Sequence, residues 1–145
     1  MKKSTRIIAE LKRIAAANGG ILKPEVVVQK ARAKSSPLHS RFTWDDTEAA
    51  EQHRLWQARQ LISVSVELIE GVENPVDVFV SLTPDRGKGA RGYRVMTDVL
   101  SDKELKEQML IDALNELRVF QQKYSRLKEL SEVFRAVKRF RRKIR

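Results

Sequence analysis

The residues with chemical potential in this chain are mostly basic, and they cluster. Arg135, Lys138, Arg139, Arg141, Arg142, Lys143 and Arg145 occupy the last eleven positions with no acid among them. A second group, Arg86, Lys88, Arg91 and Arg94, surrounds a glycine-rich run. A third includes Lys12, Arg13, Lys30, Arg32 and Lys34, which belong to nine lysines and arginines between Met1 and Lys34. Cations at this density complement phosphates, and phosphate contacts position a protein on a nucleic acid without reading its sequence. Gly87-Lys88-Gly89-Ala90-Arg91-Gly92 matches the Gly-x-Gly-x-x-Gly pattern literally. That pattern holds a pyrophosphate only where a helix N-terminus follows it, and Tyr93-Arg94-Val95 reads as strand. A basic hairpin loop describes the run better; it either touches phosphates, as the wing of a winged helix does, or is simply solvated.

Other constellations carry less. Asp45, Asp46, Glu48 and Glu51 would suit Mg²⁺, but four acids at a helix start are already accounted for by capping and the helix dipole. His39 and His53 are the only histidines and no cysteine accompanies them, so no established zinc spacing is present and structural roles are expected. Ser35, Ser36 and His39 lack an identifiable orienting acid or oxyanion hole. The residues point to binding and not to catalysis, and no cofactor or metal is expected.

Helices and a small sheet must carry these groups. Ile7, Ile8, Leu11, Ile14 and Ala15 recur at helical spacing from about Ser4 to Ala17, and Asn18-Gly19-Gly20 is a helix stop. Pro24 opens a second helix through about Ala33, its fixed backbone angle suiting the first turn. Val26 to Val28 would also suit a strand, but the Pro24-Glu25 start favours helix. Two helices joined by a short glycine-containing turn have the form of a helix-turn-helix; a generic helical hairpin with solvated lysines fits equally. In the loop from Lys34 to Trp44, Phe42 and Trp44 either stack on bases or tuck the loop onto the core, the commoner fate of large aromatics. Asp45, Asp46 or Thr47 caps a third helix, with Ala49, Ala50, His53, Trp56, Gln57, Gln60 and Leu61 near one face, broadened by Leu55, Ala58 and Ile62. Arg54 and Arg59 fall elsewhere on its surface.

The period then changes from helix to strand. Val64, Val66 and Leu68 alternate with Ser65 and Glu67, and Val76, Val78, Val80 and Leu82 with Asp77, Phe79 and Ser81, with Gly71 to Pro75 between the runs, and Tyr93, Val95 and Thr97 suggest a third strand. Ser101-Asp102-Lys103-Glu104 has the form of a capping box. An apolar stripe runs from it through Leu110, Leu117, Phe120, Tyr124 and Leu127, shifts one step, and continues through Leu130, Val133, Val137, Phe140 and Ile144. A single helix from Ser101 to Arg145 would span roughly 65 Å, more than one small domain can cover. Part of its stripe is therefore expected to meet a second copy or another protein.

The expected fold is α+β and mainly helical: three N-terminal helices, a small three-stranded antiparallel sheet and a long C-terminal helix. Residues 1–129 would form the globule and 130–145 a basic extension. With 145 residues, 41% of them hydrophobic, a modest core is affordable, and the net charge of +10 favours a polyanionic partner. No window is apolar enough for a membrane span, no membrane partner is expected, and the absence of cysteine suits a reducing cytosol.

Ser36-Pro37-Leu38-His39, Trp44-Asp45-Asp46, the run from Arg54 to Ile62 and Phe79-Val80-Ser81-Leu82, with the C-terminal helix, resemble an uncharacterised family of small proteins encoded by bacteriophages and prophages. The resemblance covers most of the chain from Ile21 onward and implies a phage or prophage origin and a bacterial cytosol. It implies no activity and no functional residues. The functional expectation therefore rests on the three basic groups: a nucleic-acid-binding protein, with DNA preferred to RNA. The alternative is an assembly or adaptor protein acting through the C-terminal helix.

Overall fold

A computed structural model describes residues 2–44, 47–87 and 90–144. The chain divides into two compact units, Met1–Lys106 and Glu107–Arg145. The boundary expected at 129/130 thus lies instead near residue 106, inside a helix.

The first unit begins with α1 (Lys3–Ala17), β1 (Ile21–Leu22) and α2 (Pro24–Ala31). α1 ends because Gly19 and Gly20 both take positive φ, letting Gly20 N–H reach back to the Ala15 carbonyl at 2.8 Å. A loop with one 3-10 turn (His39–Arg41) leads to α3 (Glu48–Ser63). Of the three candidate caps for α3, Thr47 is observed: its hydroxyl accepts from the Ala50 amide at 3.2 Å, and Asp45 and Asp46 lie outside the described residues. A small hairpin follows, β2 (Val66–Glu67) with β3 (Val76–Asp77), then β4 (Phe79–Val80), a second hairpin of β5 (Arg86–Gly87) and β6 (Ala90–Arg91), and β7 (Tyr93–Val95).

The fold is α+β and mainly helical, with a three-stranded antiparallel sheet in the order β1-β7-β4. Its edge strand is not the expected Val64–Leu68 segment but Ile21–Leu22, paired with Arg94 and Tyr93. Two residues after a glycine pair are too short for a periodic signal, which is why the sequence pattern passes over them. The β2–β3 hairpin makes its own separate sheet.

The core is continuous. Ile7, Leu11, Ile14 and Ala15 from α1 meet Val27, Val28 and Ala31 from α2, Ala58, Leu61 and Ile62 from α3, and Leu22, Phe79, Tyr93 and Val95 from the sheet. Each fully buried large aliphatic contributes roughly 1.5–3 kcal/mol relative to exposure. Phe42 is buried and Trp44 packs against this core, so the loop aromatics tuck inward. Trp44 Nε1 donates to the His39 carbonyl at 2.9 Å, the His39 ring stacks on the indole, and the Arg32 and Arg54 guanidiniums lie over it.

The expected strand at Thr97 is helix: α4 (Met96–Ser101) follows β7 directly, and α5 (Lys103–Tyr124) begins after Asp102. The capping box is replaced by a single cap one residue later. Asp102 Oδ1 accepts from the Leu105 amide at 3.0 Å, while the Ser101 hydroxyl donates to its own helix at Thr97 O. Ser101 is unable to cap because it is the last residue of α4.

In the second unit the long helix is interrupted. α5 ends at Tyr124, a 3-10 turn spans Lys128–Leu130, and α6 (Ser131–Lys143) returns antiparallel to α5. Phe120 meets Phe134 edge-on with centroids 6.3 Å apart, and Arg141 donates to the Leu114 carbonyl at 2.6 Å. The one-step shift between Leu127 and Leu130 marks this turn. Folding back partly covers Tyr124, Leu130 and Val137 of the stripe, while Leu110, Leu117, Phe120, Val133, Phe140 and Ile144 stay exposed.

Candidate nucleic-acid interface

Fourteen of the sixteen basic residues singled out by the sequence lie among the described residues, and these fall into two groups. Seven have partners within the chain, although Arg13, Arg32, Arg86 and Arg135 among them remain exposed. Arg94 makes a two-pronged pair with Asp85, Nε to Oδ2 at 2.6 Å and Nη2 to Oδ1 at 3.0 Å, and is largely covered. Its guanidinium is held above the ordinary arginine range, first by that side-chain hydrogen bond and next, against opposing burial, by the charges of Asp85 and Asp102. Lys12 pairs with Glu67 at 2.8 Å, Arg13 with Glu10, and Arg32 with Glu51 at 3.1 Å. Arg86 is turned back onto the Ser81 carbonyl at 2.6 Å, Arg135 onto the Ser131 hydroxyl at 3.3 Å, and Arg141 onto Leu114.

The others point outward without such ties. Lys30 and Lys34 on the α2 side, Arg91 on the β5–β6 hairpin, and Lys138, Arg139, Arg142 and Lys143 on α6 are exposed. Lys88 and Arg145 lie outside the described residues. The α6 group belongs to the second unit and the rest to the first.

The hairpin itself is well built. Arg86 pairs with Arg91 and Gly87 with Ala90 across it, so the described ends of the glycine-rich run lie in a β-ribbon, and a strand, not a helix, follows it. Its base is closed by Gly92, whose amide donates to Asp85 O and whose carbonyl accepts from the Ser81 hydroxyl, both at 2.8 Å. A Cβ at residue 92 would come within 2.7 Å of Ile21 Cγ2, so glycine lets the ribbon press onto β1. The Arg94–Asp85 pair braces the same corner.

The feature that periodicity assigned differently is α3. The residues expected to form its core-facing side, including His53, Trp56 and Gln60, are exposed, and Trp56 retains 53% of its accessible surface. The buried side holds Arg54, Ala58, Leu61 and Ile62, and Arg54 spans to Glu51 at 2.7 Å and to the Thr43 carbonyl. Apolar residues stand on both sides of this helix, and the interior took the smaller aliphatics while the paired arginine anchored the loop. The outward face reads Gln52, His53, Trp56, Arg59, Gln60 and Ser63, and His53 stacks on Trp56 at 5.7 Å. Amides, a hydroxyl, an imidazole and an indole are groups that hydrogen-bond or stack on base edges.

Of the two readings of α1 and α2, the helix-turn-helix does not form as such. β1 intervenes between them, and α2, eight residues long, buries Pro24, Val27, Val28 and Ala31. α2 instead packs on α3, whose outer face is free. A groove of about 500 Å³ between the α1 N-terminus and the loop is lined by Lys3, Arg6, Lys34, Ser36 and Ser40. His39, at its edge, shares its Nδ1 with the Ala31 carbonyl at 2.9 Å, a structural role.

Among the described residues no group of acids and histidines could hold a metal ion, and no helix is long and apolar enough to cross a membrane. No protein-family model, curated protein or solved structure matches the chain.

Proposed function

We propose that this protein binds nucleic acid, with duplex DNA as the ligand, through the outward face of α3 and the β5–β6 hairpin. The observation that carries the reading is the α3 face itself. A helix of sixteen residues presents Gln52, His53, Trp56, Gln60 and Ser63 to solvent while its other side is anchored in the core. A half-exposed tryptophan among amides suits contact with bases.

The connectivity supports it. Helix, strand, two helices, a small separate hairpin, then two strands joined through a ribbon, with sheet order β1-β7-β4, resembles a winged helix, in which the third helix enters the major groove and the ribbon lies along the backbone. The connection from α2 to α3 is longer than a tight helix-turn-helix turn, so the likeness is one of topology and is an analogy for function. Arg91 on the ribbon and Lys3, Arg6 and Lys34 around the groove would contact phosphates, and the net charge of +10 would speed association. The resemblance to phage and prophage proteins suggests a bacterial cytosol as the place of action.

A gel-shift series across salt tests the reading, using the full chain and the triple variant Gln52→Ala, Trp56→Ala, Gln60→Ala. The expected result is binding at low salt that the triple variant loses. Absence of binding to any nucleic acid at low salt would overturn the proposal, and equal binding by the variant would remove α3 from it.

A further inference from the structure

The unit formed by residues 107–145 has no interior of its own. Among its described residues none is buried, on α5, on α6 or in the turn between them. Leu114, Gln121 and Tyr124 on α5, Leu130 at the end of the turn, and Phe134, Val137 and Arg141 on α6 are partly covered along the seam where the two helices meet. Beside the seam lies a second row: Leu110, Leu117 and Phe120 on α5, with Val133 and Phe140 on α6 and Ile144 just past its end, each between 38% and 49% exposed. At about 100° per residue this row is displaced from the seam in the same rotational sense on both helices. In an antiparallel pair, equal displacement puts both rows on one side of the hairpin. The opposite side carries Asn115, Arg118 and Gln122 with Arg135, Lys138 and Arg142, and one exposed aliphatic, Ile111.

We infer that this apolar side is an interface with a second copy of this chain, the two hairpins completing an antiparallel four-helix bundle. Two helices without a buried residue do not hold a fixed fold in water, whereas four helices around a shared core do. The area fits. Six half-exposed large side chains offer on the order of 500 Å² per chain, so two copies bury about 1,000 Å², the lower bound for a specific interface.

The charges fit a particular arrangement as well. A two-fold axis parallel to the helices sets α5 of one copy over α6 of the other. The contacts Phe120 to Phe134 and Arg141 to Leu114 fix which residues are level. At those levels Lys123 stands opposite Glu132 of the second copy, and Glu116 opposite Arg139. Opposite charges then line both rims of an apolar centre, the usual pattern of an interface.

Light scattering on the full chain at micromolar concentration tests the inference, with Leu117→Glu plus Phe140→Glu as the disrupting variant and Ile111→Glu, on the side away from the row, as the control. The expected masses are those of a dimer for wild type and control and of a monomer for the double variant. A monomeric wild type, or a double variant that stays dimeric, would overturn it. Should the double variant unfold, the charge pair decides: Lys123→Glu weakens the dimer at least severalfold and adding Glu132→Lys restores it, whereas failure of that rescue would overturn the arrangement. The inference is independent of DNA binding, since a dimer that shifts no DNA would leave it standing.

Discussion

Arg94 and Asp85 clasp each other at two points, 2.6 and 3.0 Å, at the foot of the β5–β6 ribbon, so a guanidinium that looks available in sequence is part of the frame. Arg94→Ala should lower stability by about 2–3 kcal/mol, because it strands a largely buried carboxylate. Chemical denaturation measures this. The guanidinium's pKa is raised in the fold, so its stabilisation is fully present below the ordinary arginine value and is lost only as pH climbs through the higher folded one. Denaturation midpoints of wild type and Arg94→Ala should therefore differ by the same amount from about pH 6 to 9.

Gly92 predicts a second frame defect. A side chain there meets Ile21 Cγ2 at 2.7 Å and the Asp85 carbonyl at 3.3 Å. Gly92→Val should cost about 1–3 kcal/mol through overpacking against β1, read as a lowered thermal midpoint. Valine at Gly71, where φ is positive but nothing lies within 4 Å, would act through backbone strain alone.

Much of the frame is legible in the sequence and much of the candidate interface is not, for physical reasons. The α1 stripe, Pro24, the inward tuck of Phe42 and Trp44 and the basic ribbon follow from spacing and residue type. Which side of α3 faces the core does not: the spacing groups Trp56 with Leu61, yet Leu61 is buried and Trp56 exposed, while Arg54, expected on the surface, is buried and tied to Glu51 and the Thr43 carbonyl. Nor does charge reveal commitment. Arg91 and Arg94 are three residues apart, yet one is exposed and the other is held by an aspartate nine residues earlier in the chain. The turn at Ser125 to Leu127 lacks Gly and Pro and announces itself only as a phase shift in the apolar stripe.

Arg91 should act through phosphate contact. Arg91→Ala is expected to leave the denaturation midpoint unchanged and to lower duplex affinity similarly on all sequences. The slope of log affinity against log salt should fall by about one. Fluorescence anisotropy of a labelled duplex at several salt concentrations measures both.

Gln60 should act differently. If its amide reads a base edge, Gln60→Ala would cost about 1–3 kcal/mol on preferred duplexes and little on others, flattening the sequence preference while leaving the salt slope in place. Selection from a randomised duplex pool with wild type and variant measures the preference.

The central claim is that the exposed face of α3 meets DNA, and Trp56 reports on it directly. Trp44 and Trp56 are the two tryptophans, and Trp44 is packed against the core, so a Trp44→Phe chain carries one emitter on the proposed contact face. Titrating that chain with duplex DNA at low salt should shift and quench the emission, protect it from a neutral collisional quencher, and reverse as salt is raised. An emission that stays unchanged and fully quenchable while the DNA is shown to be bound would contradict the account.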